Sequence, residues 1–241
     1  MTSRHYHAEH FAAYAQIRRD GLDQWSDLHG PRVGYDAFQA RNFLTRAITE
    51  LPTAAGVLEY GCGTGAAACF LAQQGFRVDA VDLVPDAIEL ATAHAQRMGV
   101  RVDFRVADIC DWSGRPGDYD AVVDLFCLQS IVLDADRDRL FTAVRDRLAP
   151  TGHYLIATAM FDPDRDYADD HYDSRTGIVW TAASDEDVDR GVETMIIDGR
   201  RCRPHRRHLR GEALREELGR HGFKVIEQGG LGGGEVIAQP A

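Results

Sequence analysis

Val57-Leu58-Glu59-Tyr60-Gly61-Cys62-Gly63-Thr64-Gly65 sets three glycines at alternate positions between a short apolar run and a stretch of small residues. Such a segment reads as a strand passing into a helix. Glycine reaches backbone angles closed to other residues and carries no side chain, so a ligand can lie against the chain at the helix N-terminus. Asp82 is expected to end the next strand and Asp108 the third, which puts both carboxylates on one edge of a sheet. An acidic side chain at that edge can accept hydrogen bonds from a ribose. The ligand is not obviously a dinucleotide. The third glycine comes one residue too early for G-x-G-x-x-G, and Glu59 beside the loop would repel a pyrophosphate. A cationic ligand suits it better.

The elements that must position these residues follow a strand–helix rhythm. Gly56 to Tyr60 predicts a strand, Thr64 to Gln74 a helix ended by Gly75, and Arg77 to Leu83 a second strand. A helix opened by Pro85 runs to Gly99; proline suits the first helical turn. Arg101 to Val106 alternates as a third strand, and Tyr119 to Phe126 is apolar almost throughout, as a strand buried on both faces should be. An amphipathic helix from Asp134 to Leu148 leads to a fifth strand, His153 to Met160. The pattern predicts a doubly wound, mostly parallel sheet of the α/β class. Before it, residues 1–51 read as a helical arm rich in aromatics and histidines, with Asp36 capping a helix through Leu51. After the α/β core (52–160), residues 161–210 read as a β-rich insertion with strands at Gly177 to Ala183 and Val192 to Ile197 and a tight turn at Asp198-Gly199. Residues 211–241 supply a helix and a closing antiparallel hairpin.

On these motifs the chain resembles the class I S-adenosylmethionine-dependent methyltransferases, whose first motif looks like E/D-x-G-x-G-x-G. The likeness runs in order from Gly56 to Met160, and Leu148-Ala149-Pro150-Thr151-Gly152 stands where the family has an L-x-P-G-G turn. It implies a seven-stranded Rossmann-like fold with S-adenosyl-L-methionine as cofactor. It also implies roles: Glu59 near the methionine end, Gly61, Cys62 and Gly63 as backbone contacts, and Asp82 on the ribose hydroxyls. Leu83 and Ile109 would pack on the adenine, Asp108 would meet its amino group, and Asp124, Leu125 and Phe126 would border the transfer site. The expected activity is methyl transfer to an N or O atom of a small molecule. A nicotinamide-dependent oxidoreductase is the alternative, and would need a better glycine fingerprint and a recognisable proton donor. A non-catalytic adenosylmethionine-binding protein would keep the loop and turn nothing over.

Candidates for a general base are His29, Tyr35 and His171, with Gln129 placed to orient an acceptor. Trp25, His29 or Tyr35 of the arm would face the insertion, the two together capping the site. His5, His7 and His10 could converge on a metal, but no acidic partner is identifiable, and no metal site is expected. The aspartate-rich stretch from Asp162 to Asp173 reads as a solvated loop or as a pocket for a cationic amine, and the arginines at 200, 201, 203, 206, 207 and 210 as its ionic partners or a solvated run, ahead of a site for RNA or an acidic acceptor. The 241 residues carry a formal net charge of −11, which disfavours nucleic acid and acidic membranes as partners. No apolar run is long enough to span a bilayer, and five scattered cysteines without a C-x-x-C pair fit a reducing cytoplasm. The oligomeric state stays open, a homodimer included.

Overall fold

The computed structural model describes residues 4–32, 34–112, 117–167, 170–189 and 191–241. The first five strands are β1 (Gly56–Tyr60), β2 (Arg77–Asp82), β3 (Asp103–Val106), β4 (Tyr119–Leu125) and β5 (Leu148–Ala157). All pair in parallel. The fifth starts earlier than the sequence predicts, because the Leu148–Gly152 turn is itself drawn into the ladder across an irregularity opposite Tyr119 and Ala121. The insertion folds into β6 (His171–Asp173), β7 (Ile178–Ala182), β8 (Met195–Ile197) and β9 (Arg200–Arg207), an antiparallel sheet of order β6-β7-β9-β8, with the short helix α6 (Asp185–Asp189) between β7 and β8. Finally β10 (Phe223–Gly229) and β11 (Glu235–Pro240) complete the main sheet in the order β10-β11-β5-β4-β1-β2-β3. There β11 runs antiparallel to both neighbours.

Strand periodicity divides the core between the two faces of this sheet. Leu58 and Tyr60 of β1, Val122 of β4 and Tyr154 and Ile156 of β5 share one cluster with Leu140, Phe141 and Val144. Those last three lie on α5 (Asp134–Arg147), and Leu214 and Leu218 of α7 (Gly211–Arg220) join the same cluster. Val57, Ala121, Val123 and Leu155 point the other way, toward Phe43 and Leu44 of α2 (Arg41–Ala47) and Phe70 and Leu71 of α3 (Ala66–Gln73). Both faces of β1 and β4 are covered, which is why their sequences read as unbroken apolar runs.

The arm departs from the sequence expectation in detail. Its first helix, α1 (His7–Asp20), packs Tyr14 and Ile17 against Val84 and Ala87 at the start of α4 (Pro85–Met98). Arg18 adds ion pairs to Asp86 at 2.5 Å and Glu89 at 2.7 Å. Asp36 does not cap a helix. It lies in a single 3-10 turn, Tyr35–Ala37, and Ala40 in a left-handed conformation separates that turn from α2. The break leaves Phe38 extended, with its ring 5.7 Å from that of Phe70.

Candidate active site

A cavity of about 510 Å³ opens at the carboxyl ends of β1, β2 and β4. Its floor is the glycine loop. Gly61, Gly63 and Gly65 all take left-handed angles, at φ 62°, 54° and 79°. A Cβ at Gly61 would come within 2.6 Å of Cys127 Cβ, and one at Gly63 within 2.6 Å of the Tyr14 hydroxyl. Space as well as backbone angle therefore demands glycine here. The loop delivers Ala66 and Ala67, the first turn of α3, to the cavity wall.

Asp82 ends β2 with its carboxylate held on both sides: Gly63 N–H donates to one oxygen and Val84 N–H to the other, each at 2.9 Å. Burial pushes its pKa up to about 6 against the pull of those N–H groups. Glu59 is 3% exposed, and among the described residues its Oε2 has no hydrogen-bond partner. Burial, with Asp82 and Asp124 adding repulsion, raises the Glu59 carboxyl to about 8. A buried carboxylate oxygen without a donor is costly, and this one borders the cavity. A ligand ammonium group would satisfy it.

Leu83, Asp108, Ile109, Leu125 and Gln129 also border the cavity, as do Cys62 and His29. Asp108 sits beyond β3 rather than in it, and the arm already engages both its oxygens. Arg4 donates at 2.7 Å, His7 Nε2 lies at 3.0 Å, and the Tyr6 hydroxyl reaches each oxygen at 3.0–3.1 Å. Burial alone would raise the Asp108 carboxyl; His7, the Cys110 N–H and Arg4 outweigh it and hold the group at about 2. Arg4 also binds Asp111 and Asp136, so the arm is bolted to the Asp108 side of the cavity.

Three expected site residues fall elsewhere. Asp124 is fully buried behind the wall, accepting from Cys127 N–H at 2.8 Å and Leu128 N–H at 3.1 Å. It caps the turn that carries Phe126 at the left-handed φ of 66° and presents Phe126 and Cys127 to the cavity. Tyr35 stacks on His94, ring centroids 3.4 Å apart, on the flank of α4. His171 is exposed on β6, the outer strand of the insertion. The amino-terminal histidines diverge: His5 donates to the Ser130 carbonyl, His7 turns to Asp108 and His10 to the Tyr6 carbonyl.

Among the wall residues whose place sequence reasoning missed are His10 and Arg206. The signal for the first was present, since Tyr6, His10 and Tyr14 recur at four-residue spacing and so share one face of α1. Arg206 reaches the cavity from β9 and pairs with Glu9 at 2.5 Å. Two other arginines of that run pair with arm, core and insertion: Arg203 with Glu9 and Asp187, and Arg207 with Asp134 and Glu217. Asp169 of the aspartate-rich stretch lies outside the described residues. Through Glu9 and Arg206 the arm and the insertion close over the same opening.

Seven strands in this order, with a glycine-floored cavity at their carboxyl edge, make the Rossmann-like methyltransferase architecture. Residues 57–152 match the family described as a methyltransferase domain. A ubiquinone biosynthesis O-methyltransferase of Xylella fastidiosa (strain M23) is 31% identical over 137 residues, 56% of this chain and 54% of that protein. The chain thus spans about half the length of that curated relative. Among solved structures, the 1,6-didemethyltoxoflavin-N1-methyltransferase of Burkholderia thailandensis is 22% identical with a TM-score of 0.64, over 99% of this chain and 89% of that one. The CcbJ methyltransferase of Streptomyces caelestis gives 15% and 0.63, over 91% and 97%. Likeness at these identities concerns the fold. The match over residues 57–152 and the fold together support the class I S-adenosylmethionine-dependent methyltransferase family.

Proposed function

We propose that this protein transfers a methyl group from S-adenosyl-L-methionine to an oxygen or nitrogen atom of a small molecule. The observation that carries the reading is the unpartnered Glu59 Oε2 beside a glycine floor that tolerates no side chain. Glu59 would accept from the methionine ammonium, the loop at Gly61 to Gly63 would lie along the ligand, and Asp82 would accept from the ribose hydroxyls. The cofactor, when bound, supplies an electrophilic methyl on a sulfonium. What the chain must then do is hold an acceptor in line and keep water away. Tyr14, Trp25 and His29 of the arm roof the cavity, and Gln129, its Oε1 fixed by the Ala159 N–H at 3.0 Å, presents its amide on the far wall. A volume of about 510 Å³ shared with the cofactor leaves room for a compact acceptor. The Xylella relative, an O-methyltransferase, and the Burkholderia neighbour, an N1-methyltransferase, both support a small-molecule acceptor. Among the described residues no helix is long and apolar enough to cross a membrane.

The cofactor choice has a direct test. Glu59 faces a cation favourably and a pyrophosphate unfavourably, so adenosylmethionine and adenosylhomocysteine are expected to raise the melting temperature while NAD and NADP leave it unchanged. Stabilisation by the dinucleotides alone would refute the reading. Release of adenosylhomocysteine in the presence of a panel of phenols, catechols and N–H heterocycles then identifies the acceptor.

A further inference from the structure

We propose that His10 is the general base of the methyl transfer, taking the acceptor's proton on Nε2. The inference rests on the methyltransferase reading and adds a residue and a substrate property to it: the acceptor is protic, and its proton leaves to the enzyme.

The geometry begins with the ring's other nitrogen. His10 Nδ1 lies 2.7 Å from the Tyr6 carbonyl oxygen, one helical turn back. A carbonyl only accepts, so Nδ1 carries the hydrogen and the neutral ring keeps a bare lone pair on Nε2. His10 is on the cavity wall, and among the described residues nothing bonds to its Nε2. The ring cannot swing freely. Trp25 packs on it at 5.1 Å with the planes 32° apart, and Tyr6 meets it edge-on at 6.2 Å. Among the described residues, no carbonyl fixes the tautomer of His29, the other histidine on the wall.

The charges around the ring favour the same role. Burial lowers the His10 pKa first of all, Arg206 of β9 and His7 lower it further, and Glu9 and the Tyr6 carbonyl oppose them. The ring is therefore neutral near pH 7 and free to accept a proton. Arg206 shares the wall and stands ready to stabilise an acceptor losing that proton, while Glu9 holds the guanidinium in place at 2.5 Å.

The step balances. A lone pair on the acceptor O or N forms the bond to the methyl carbon, and the carbon–sulfur bond breaks with its electrons staying on sulfur. The acceptor's hydrogen passes to His10 Nε2, giving an imidazolium whose Nδ1–H still donates to the Tyr6 carbonyl and whose new proton is lost to water afterwards.

The test has an arm that needs no acceptor. In the full-length protein labelled with ¹⁵N-histidine, long-range ¹H–¹⁵N correlation spectra are recorded with and without adenosylhomocysteine from pH 5 to 8. The expected pattern at pH 7 is a neutral His10 ring with hydrogen on Nδ1 only. A hydrogen on Nε2, or a ring already protonated at pH 7, overturns the proposal. Failure of the methyltransferase reading would appear separately, as absence of cofactor binding. In turnover with the acceptors found by the panel, His10→Ala is expected to lower kcat about 10²- to 10⁴-fold with adenosylhomocysteine affinity and melting temperature retained. The loss should shrink as the acceptor becomes more acidic, and added imidazole should restore part of the rate. An equal loss on every acceptor without imidazole rescue would mean that His10 only packs the lid.

Discussion

Arg137→Met is expected to destabilise the fold by about 3–5 kcal/mol, lowering the melting temperature by roughly 6–20 °C. Arg137 is 2% exposed, on α5, and every polar edge of its guanidinium is used. Nε and Nη2 bind the two oxygens of Glu217 on α7 at 2.7 and 2.5 Å. Nη1 donates to the carbonyls of Leu128 at 3.0 Å and Ile131 at 2.8 Å. Methionine fills similar volume but abandons Glu217 and both carbonyls, and an uncompensated buried charge is the costly outcome. Arg207, 3.9 Å from the same carboxylate, retains part of the pairing. Burial would raise the Glu217 carboxyl, yet Arg137 outweighs it and holds the group low. A depressed carboxyl contributes stability above its unfolded pKa and loses it as pH falls through its folded value. The gap between the parent and Arg137→Met should therefore be widest near neutrality and narrow in acid. Chemical denaturation at pH 7 and pH 4 measures it, and adding Glu217→Leu should recover most of the loss. A single variant as stable as the parent would mean that the pair is energetically idle.

Asp82→Ala is expected to weaken adenosylmethionine binding roughly ten- to a hundredfold, the equivalent of one charge-assisted hydrogen bond lost. Titration calorimetry is the measurement, and unchanged affinity would place the ribose elsewhere. Asp82→Asn should fall between the two, since an amide oxygen can still accept one of the backbone N–H groups from Gly63 and Val84. Because burial lifts the Asp82 carboxyl to about 6, affinity in the parent protein should decline as the pH drops through that value.

What could be read in the residues was whatever depends on near neighbours. The β1 run, the glycines and Asp82 lie within one strand–turn–helix–strand unit, where periodicity and spacing act directly. Asp124 shows the limit. It stands near the end of β4 much as Asp82 ends β2, yet the chain turns back so that its oxygens serve Cys127 and Leu128 rather than the cavity. Asp108 is claimed by Arg4, Tyr6 and His7 from more than a hundred positions away, which no local pattern announces. The arginine run from Arg200 to Arg207 is a strand that charge disguised. Pro204 within it argues against a central strand, but it sits opposite Trp180, where the register with β7 shifts. Tyr35 and His171 were chosen for chemistry alone; the direction in which a 3-10 turn or an outer strand faces is settled by packing, and both face away.

The arm's fastening implies unequal responses to ionic strength along its length. At its start, Arg4 is 8% exposed against Asp108 and Asp136 at 12% and 11%. At the end of α1, Arg18 is 53% exposed and meets Asp86 and Glu89 in open solvent. Salt screens exposed pairs strongly and buried ones much less. Rising salt thus weakens the Arg18 pairs while those of Arg4 persist, leaving the far end of α1 to the apolar contacts of Tyr14 and Ile17 with Val84 and Ala87. In high salt the roof over the cavity is therefore ionically fastened at one end and held by apolar burial at the other.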